Sequence, residues 1–266
     1  MLSLTALAGA TDGELINHEP CRIEGFSIDS RKLSKGDFFI PLAGSRTDGH
    51  EFLRDAFDSG ASGAFIRSRD YLEADFSNLI LVEDTEKALI QAAEYYRLNF
   101  DIPIVGVTGS WGKTTTKELI ASILDRAGEV HKAPGNYNTE YGLPLALLEM
   151  PEAVDFGVFE LGLQYPDDIG KLSQVLSPTI GLITGVGKVH LENFSSVEDI
   201  AREKLKLARG MEPGASIVIN ADSEPLRIAA NRKNNYRFLQ YGDGNPGVDY
   251  FSRGVEVRGV DGLELS

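Results

Sequence analysis

The chain opens on a mildly apolar stretch, MLSLTALAGA, interrupted early by Asp12 and Glu14, a pattern that predicts a short first helix. Between residues 21 and 42 apolar positions alternate or cluster, first Ile23, Phe26 and Ile28, then Phe38-Phe39-Ile40, with Gly25 and Gly36 as punctuation. Runs of this kind predict strands joined by turns. In HEFLRDAFDSGAS the residues Phe52, Leu53, Ala56 and Phe57 have the spacing of one helical face, and Gly60 stops the helix. Strands are expected at Ala64-Phe65-Ile66 and over 79–82, and a helix over 85–96 closes a first unit.

The rhythm then lengthens. Apolar strands IPIVGVT, FGVFEL, TIGLIT and SIVIN alternate with helical patterns over 113–127, near 167–175 and over 196–209. Such alternation argues for a parallel sheet with helices on both faces. From Tyr236 short strand-like pieces separated by Gly-rich turns take over, and LELS reads as lying inside an element. The expected architecture is α/β: a small mixed α/β N-terminal domain, residues 1–99, then a domain with a mostly parallel sheet flanked by helices, residues 100–266.

A length of 266 residues suffices for two modest cores. No apolar run is long enough to span a bilayer, and the N-terminus lacks a basic leader, so a cytoplasmic protein is expected. Cys21 is the one cysteine, which excludes a disulfide framework or a cysteine zinc cluster; a small buried side chain is expected there. The formal charge of −14 argues against a nucleic-acid partner. An anionic ligand must then be held by a local cluster of donors.

The stretch GVTGSWGKTTTKEL, residues 106–119, offers one. A loop between a buried strand and a helix points free backbone N–H groups outward, and glycines let that backbone approach an anion. Thr108, Gly109, Ser110, Gly112 and Thr115 are placed to cradle phosphates, Lys113 to reach the outer ones, and the Thr114 hydroxyl to ligand the Mg²⁺ that accompanies ATP. The full phosphate-loop (P-loop) pattern wants glycine at position 107, where Val107 stands. What remains is T-G-S-x-G-K-T in the required strand and helix context.

TGSWGKTTTKE resembles the loop of the Mur ligases, ATP-dependent enzymes that build the peptide of bacterial cell-wall precursors. The resemblance continues in family order through DSRKLSKGDFFIPLAGSRTDGHEF, APGNYNTEYGLPLALL, FELG, ITGVGKVHLENFSSVEDIAREK and INAD. The first of these segments is similar to a uridine-nucleotide-binding domain, and APGNYNTEYG to the members that add D-Ala-D-Ala. The resemblance therefore implies a ligase that joins D-Ala-D-Ala to a UDP-N-acetylmuramoyl tripeptide through an acyl phosphate. The sister ligase that adds the third peptide residue shares the first-domain motifs, and a non-catalytic nucleotide or precursor sensor is the alternative from another class.

On pattern alone Glu160, at the end of an apolar strand, is either a metal ligand or a solvated acid, and His190 is either a ligand or a structural histidine. Lys204 reads as one more lysine on an exposed helix face. The resemblance implies that Glu160 and His190 bind Mg²⁺ with Thr114, and that Lys204, rather than Lys206, is carbamylated and shares the metal. It also implies that Asn136 and Asn138 face the nucleotide, where turn chemistry is the plain alternative. In the first domain Ser30, Arg31, Asp48 and His50 flank loops that the resemblance assigns to the uridine nucleotide, with Lys32, Lys35 and Arg46 as local positive charge.

Three positions depart from the family pattern: Trp111, Thr139 and Gly185 stand where asparagines are usual. Packing of Trp111 over the loop would preserve binding while altering access. The family also carries a C-terminal domain that closes over ATP. The sequence ends before it, so a fragment, a chain completed in trans or a binding protein are all expectations.

Overall fold

The computed structural model describes residues 2–44, 47–189, 191–231, 236–243, 247–252, 255–257 and 263–265. The chain divides into two compact units, Met1–Asp101 with Pro144–Glu152, and Ile102–Leu143 with Ala153–Ser266.

The first unit runs α1 (Leu4–Ala10), β1 (Glu14–Ile16), β2 (Gly25–Ser27), β3 (Asp37–Phe39), a 3-10 turn at Gly49–Phe52 leading into α2 (Leu53–Asp58), β4 (Gly63–Ile66), a 3-10 turn at Arg69–Tyr71, β5 (Leu79–Leu81) and α3 (Thr85–Arg97). Its five-stranded sheet has the order β1-β5-β4-β3-β2, with β1 antiparallel to β5 and the other pairs parallel. β4 is buried at every residue, as a central parallel strand should be. Phe39, Ala64, Ile66 and Leu79 pack with Leu53, Ala56 and Phe76, and each large side chain so buried contributes about 1.5–3 kcal/mol. Asp84 caps α3 by accepting hydrogen bonds from the Glu86 and Lys87 amides. Because β2 to β5 are parallel, the loops that follow β2, β3 and β4 all leave from one sheet edge.

The second unit runs β6 (Ile104–Thr108), α4 (Lys113–Leu124), β7 (Val130–Lys132), α5 (Gly142–Leu148, assigned to the first unit from Pro144 on), β8 (Phe156–Glu160), α6 (Asp168–Leu176), β9 (Ile180–Ile183) and α7 (Val197–Lys204). A 3-10 segment at Leu205–Gly210, β10 (Ser216–Asn220), α8 (Glu224–Ala230), β11 (Arg237–Asp243), β12 (Tyr250–Ser252) and a hairpin of β13 (Val255–Val257) with β14 (Leu263–Leu265) follow. The seven-stranded sheet has the order β12-β11-β10-β9-β6-β8-β7, every neighbouring pair parallel. The chain leaves β6 toward one edge for β7 and β8, then crosses to the other side of β6 for β9. That reversal opens a crevice at the carboxyl ends of β6 and β9, where open α/β sheets bind ligands.

Several elements differ from the sequence expectation. β1 and β7 have three residues each, too few for a period to register, and β7 (VHK) is largely polar. α8 begins with Glu224-Pro225 and is only seven residues long. The helix expected over 196–209 is α7 up to Lys204 and a tighter 3-10 segment thereafter. Cys21 is exposed, not buried: it lies on an irregular approach to β2 from which only Ile23 reaches the core.

Candidate functional site

β6 is buried throughout and ends at Thr108, whose hydroxyl donates to the Leu161 carbonyl at 3.0 Å and so supports the loop from beneath. A side chain at Gly109 would place its Cβ 1.9 Å from Thr184 Oγ1, so the close approach of the two loops requires glycine there. Gly112 takes a left-handed conformation (φ +76°) at the N-cap of α4. That helix start has no side-chain cap and no acidic residue in its first turn. Its free N–H groups and the positive end of its dipole, with Lys113 beside them, form an anion cradle. Lys113 Nζ now donates to the Gly109 carbonyl at 3.0 Å, and Thr115 is exposed in the first turn.

The segment after β9 braces this loop. Ser110 N donates to Gly185 O at 2.9 Å, Gly187 N to Ser110 Oγ at 3.1 Å, and Thr184 Oγ1 to Trp111 O at 2.5 Å. The Thr184 carbonyl in turn accepts from Asn220 and Tyr241, each at 3.1 Å. The Trp111 indole lies on Gly185 and Gly187; a Cβ at position 187 would come within 2.2 Å of the ring. Trp111 nevertheless stays 56% exposed.

Glu160 ends β8 and is only 3% exposed. Its Oε2 accepts from the Thr114 hydroxyl and its Oε1 from the Asn138 amide, both at 2.9 Å. Among the described residues no cation lies within salt-bridge distance of it. A buried carboxylate held only by neutral donors is costly unless a cation completes it, so the donor set fits a bound divalent ion. Asn138 is seated further by its carbonyl, which accepts from Gly162 N at 2.8 Å, whereas Asn136 is exposed.

Lys204, at the end of α7, is 1% exposed, which corrects the reading of a solvated surface lysine. Burial, and next the charge of Lys113, push its pKa down to about 7, with Glu203 opposing. Lys113 and Lys204 thus share one local field. Lys206, the neighbouring candidate, is instead paired with Asp167 at 2.8 Å and Glu203 at 2.6 Å. His190 lies outside the described residues, and among those described no group of three His, Cys, Asp or Glu is placed to hold a metal. Among the described residues the candidate metal ligands are therefore the Thr114 hydroxyl, the Glu160 carboxylate and Lys204.

The first unit's residues gather at the carboxyl edge of its own sheet. After β2, Arg31 closes on Asp29 with two hydrogen bonds of 2.8 Å, which hold the Asp29 carboxyl at about 2; Ser30 sits half-buried between them in sequence. After β3, His50 is buried, stacked on Tyr71 at 4.5 Å, with Nδ1 2.7 Å from Asp48. Arg67, directly after β4, pairs with the same carboxylate. Burial lowers the His50 pKa against the pull of Asp48; with Nδ1–H donating to Asp48, Nε2 is a buried acceptor without a partner among the described residues. Arg46 lies outside the described residues. Arg67 and Tyr71 were not anticipated, although a basic residue immediately after a buried parallel strand is a usable signal. Lys117, Thr184 and Gly187 carried no signal of their own.

The family model for the Mur ligase middle domain matches residues 107–261, and that for the Mur ligase family catalytic domain matches residues 22–97. The UDP-N-acetylmuramoyl-tripeptide--D-alanyl-D-alanine ligase of Bacillus subtilis is 33% identical over 261 residues, 94% of this chain and 57% of that protein. Among solved structures, a MurF from Acinetobacter baumannii superposes with a TM-score of 0.86 at 27% identity, over 99% of this chain and 59% of that one. MurF ligase from Thermotoga maritima in complex with ADP gives 0.78 at 31% identity, over 91% and 57%. The chain thus spans somewhat over half the length of the relatives it matches. With both units covered in order, one model over the braced phosphate loop and the other over the smaller sheet, the chain belongs to the Mur ligase family.

Proposed function

We propose that this chain is the precursor- and nucleotide-binding part of an ATP-dependent amide ligase that joins D-Ala-D-Ala to a UDP-N-acetylmuramoyl tripeptide. The observation that carries the reading is Glu160, buried and held by Thr114 and Asn138 beside the uncapped start of α4. The names of its relatives support the substrate pair, and the Thermotoga structure with ADP supports the nucleotide. On this reading residues 1–99 bind the precursor and 100–266 bind ATP. Because the chain spans 57% of the Bacillus protein, turnover belongs to the full-length ligase. The reaction is placed in the cytoplasm, where ATP is available.

The tripeptide carboxylate attacks the γ-phosphorus of ATP, the bond to the β-phosphate oxygen breaks, and ADP leaves. The D-Ala-D-Ala amine then attacks the acyl carbon, phosphate departs, and the amine loses its proton. Little covalent chemistry falls to the protein; positioning and charge stabilisation dominate. The amides at the uncapped start of α4, Gly112 to Thr115, would orient the phosphates, and Lys113 would leave the Gly109 carbonyl to meet the transferring group. Thr114, Glu160, His190 and carbamylated Lys204 would hold Mg²⁺, which when bound offsets negative charge on the phosphoryl oxygens. Burial and the charge of Lys113 lower the Lys204 pKa to about 7, which makes its neutral amine, able to form a bond to CO₂ carbon and release a proton, far more accessible than in a solvated lysine. Ser30, Arg31, Asp48 and His50 would receive the uridine nucleotide.

Calorimetric titration with Mg-ATP and, separately, with UDP-N-acetylmuramoyl tripeptide tests the reading. Binding of both is expected. Binding of the UDP compound alone would favour a precursor sensor, and a preference for the dipeptide over the tripeptide would favour the sister ligase.

A further inference from the structure

Among the described residues, the mechanism leaves one fully buried charged group unused. Lys117 sits one helical turn after Lys113 on α4, is 1% exposed, and donates from Nζ to the Ala133 carbonyl at 2.7 Å and the Gly135 carbonyl at 3.2 Å. Glu118 Oε1 lies 3.5 Å from the same nitrogen, but Glu118 is half exposed and also engages Lys132. A buried ammonium is tolerated only where its donors are met, and here backbone carbonyls meet most of that need.

Those carbonyls belong to the stem of the turn that carries Asn138. β7 has ended at Lys132, and past Ala133, whose amide still donates to Val158 O, the stem leaves the sheet. Beyond it Tyr137 N donates to Pro134 O, Asn138 N to Asn136 O, and the Asn138 side chain reaches Glu160. The seat is tight: a Cβ at Gly162 would fall 2.7 Å from the Asn138 carbonyl oxygen and 3.0 Å from Oδ1. An unbroken path therefore runs from Lys117 through the stem and Asn138 to Glu160 Oε1, and from Oε2 to Thr114, back on α4.

We propose that Lys117 is a positioning residue that pins the 133–138 turn, so that Asn138 holds the Glu160 carboxylate in its metal-binding orientation. The link to a metal rests on the functional reading above; the link to the turn does not. Lys117→Met keeps the length and removes the donors. In the ligand-free chain it raises amide hydrogen exchange at Tyr137 and Asn138 by about tenfold or more, the size expected for losing hydrogen bonds to a charged donor, while the rest of β6 and β8 stays protected. With Mg-ATP as probe, the Mg²⁺ concentration for half-maximal binding rises about tenfold, as for loss of an outer-shell partner. In a Glu160→Gln background Lys117→Met adds no further Mg²⁺ requirement.

Unchanged exchange at Tyr137 and Asn138 overturns the proposal. So does an Mg²⁺ requirement that matches wild type, or one that rises equally without the Glu160 carboxylate. Should Lys117→Met fail to fold, Lys117→Gln shortens the reach and gives the same two changes in smaller size; wild-type behaviour of that variant is equally decisive. A wild-type chain that binds no Mg-ATP removes the functional reading and the metal link with it, while the exchange result still decides the turn.

Discussion

At the carboxyl edge of the first sheet Arg31 closes on Asp29, and His50 and Arg67 share Asp48, so charge is matched within the unit. At the same edge of the second sheet Glu160 is met by a hydroxyl and an amide, Lys113 by a carbonyl, and Lys204 is buried near another cation. One edge is a finished surface whose donors have fixed directions. The other keeps charges of both signs uncompensated, a cost that phosphates and a divalent ion would relieve on binding. On the proposed function, the difference separates recognition of a ligand from activation of one.

The largest way to break this contrast is to remove the stored charge. Glu160→Gln is expected to raise the Mg²⁺ needed for ATP binding on the order of 100-fold, because on the proposed function it deletes a ligand and not merely a partner of one. Trp111, the sole tryptophan, lies on the phosphate loop, so its fluorescence reports that titration directly. Lys204→Met is expected to raise the Mg²⁺ requirement as well, yet to hold or raise the melting temperature, since the cost of burying an ionisable amine beside Lys113 is removed with the amine. A fall in melting temperature with unchanged Mg²⁺ dependence would return Lys204 to an ordinary structural role.

Next in size is the brace. Gly187→Ala drives a methyl into the Trp111 ring, and overpacking of this kind costs about 1–3 kcal/mol, or roughly 5- to 100-fold in nucleotide affinity if the strain falls on the loop. Trp111→Asn in the same chain removes the clash and is expected to restore calorimetric binding of Mg-ATP. Failure of the second substitution to rescue the first would place the cost elsewhere than in the Trp111 contact.

The two edges were not equally legible in the sequence. Strand and helix alternation from residue 100 on announced the parallel sheet, because long buried strands such as IVGVT and FGVFE leave continuous apolar runs, and the loop between them carries its own glycines and lysine. Lys204 was invisible by pattern: its helix is strongly polar, and burial of its side chain follows from tertiary packing that no local period encodes. Lys117 was hidden for the same reason. In the first unit the short strands blurred, and Arg67 and Tyr71 escaped because they meet Asp48 only once β3 and β4 are side by side.

The smallest expected effect tests whether the first edge is as finished as it looks. His50 is packed against Tyr71 and faces Asp48, with Arg67 on the far carboxylate oxygen, and burial holds its pKa below the ordinary 6.5. The unfolded chain therefore takes up a proton as pH falls through 6.5, while the folded one resists until a lower pH. Folding stability contributed by this group is complete above 6.5 and declines as pH drops below it, levelling once the folded ring is itself protonated. Urea titrations between pH 7.5 and 5.5 should show that decline in the wild type and a shallower one in His50→Gln, which cannot titrate. Equal slopes would mean that the ring accepts its proton without loss, through Asp48 on one nitrogen and a reoriented neighbour at Nε2. The first edge would then share the open character of the second.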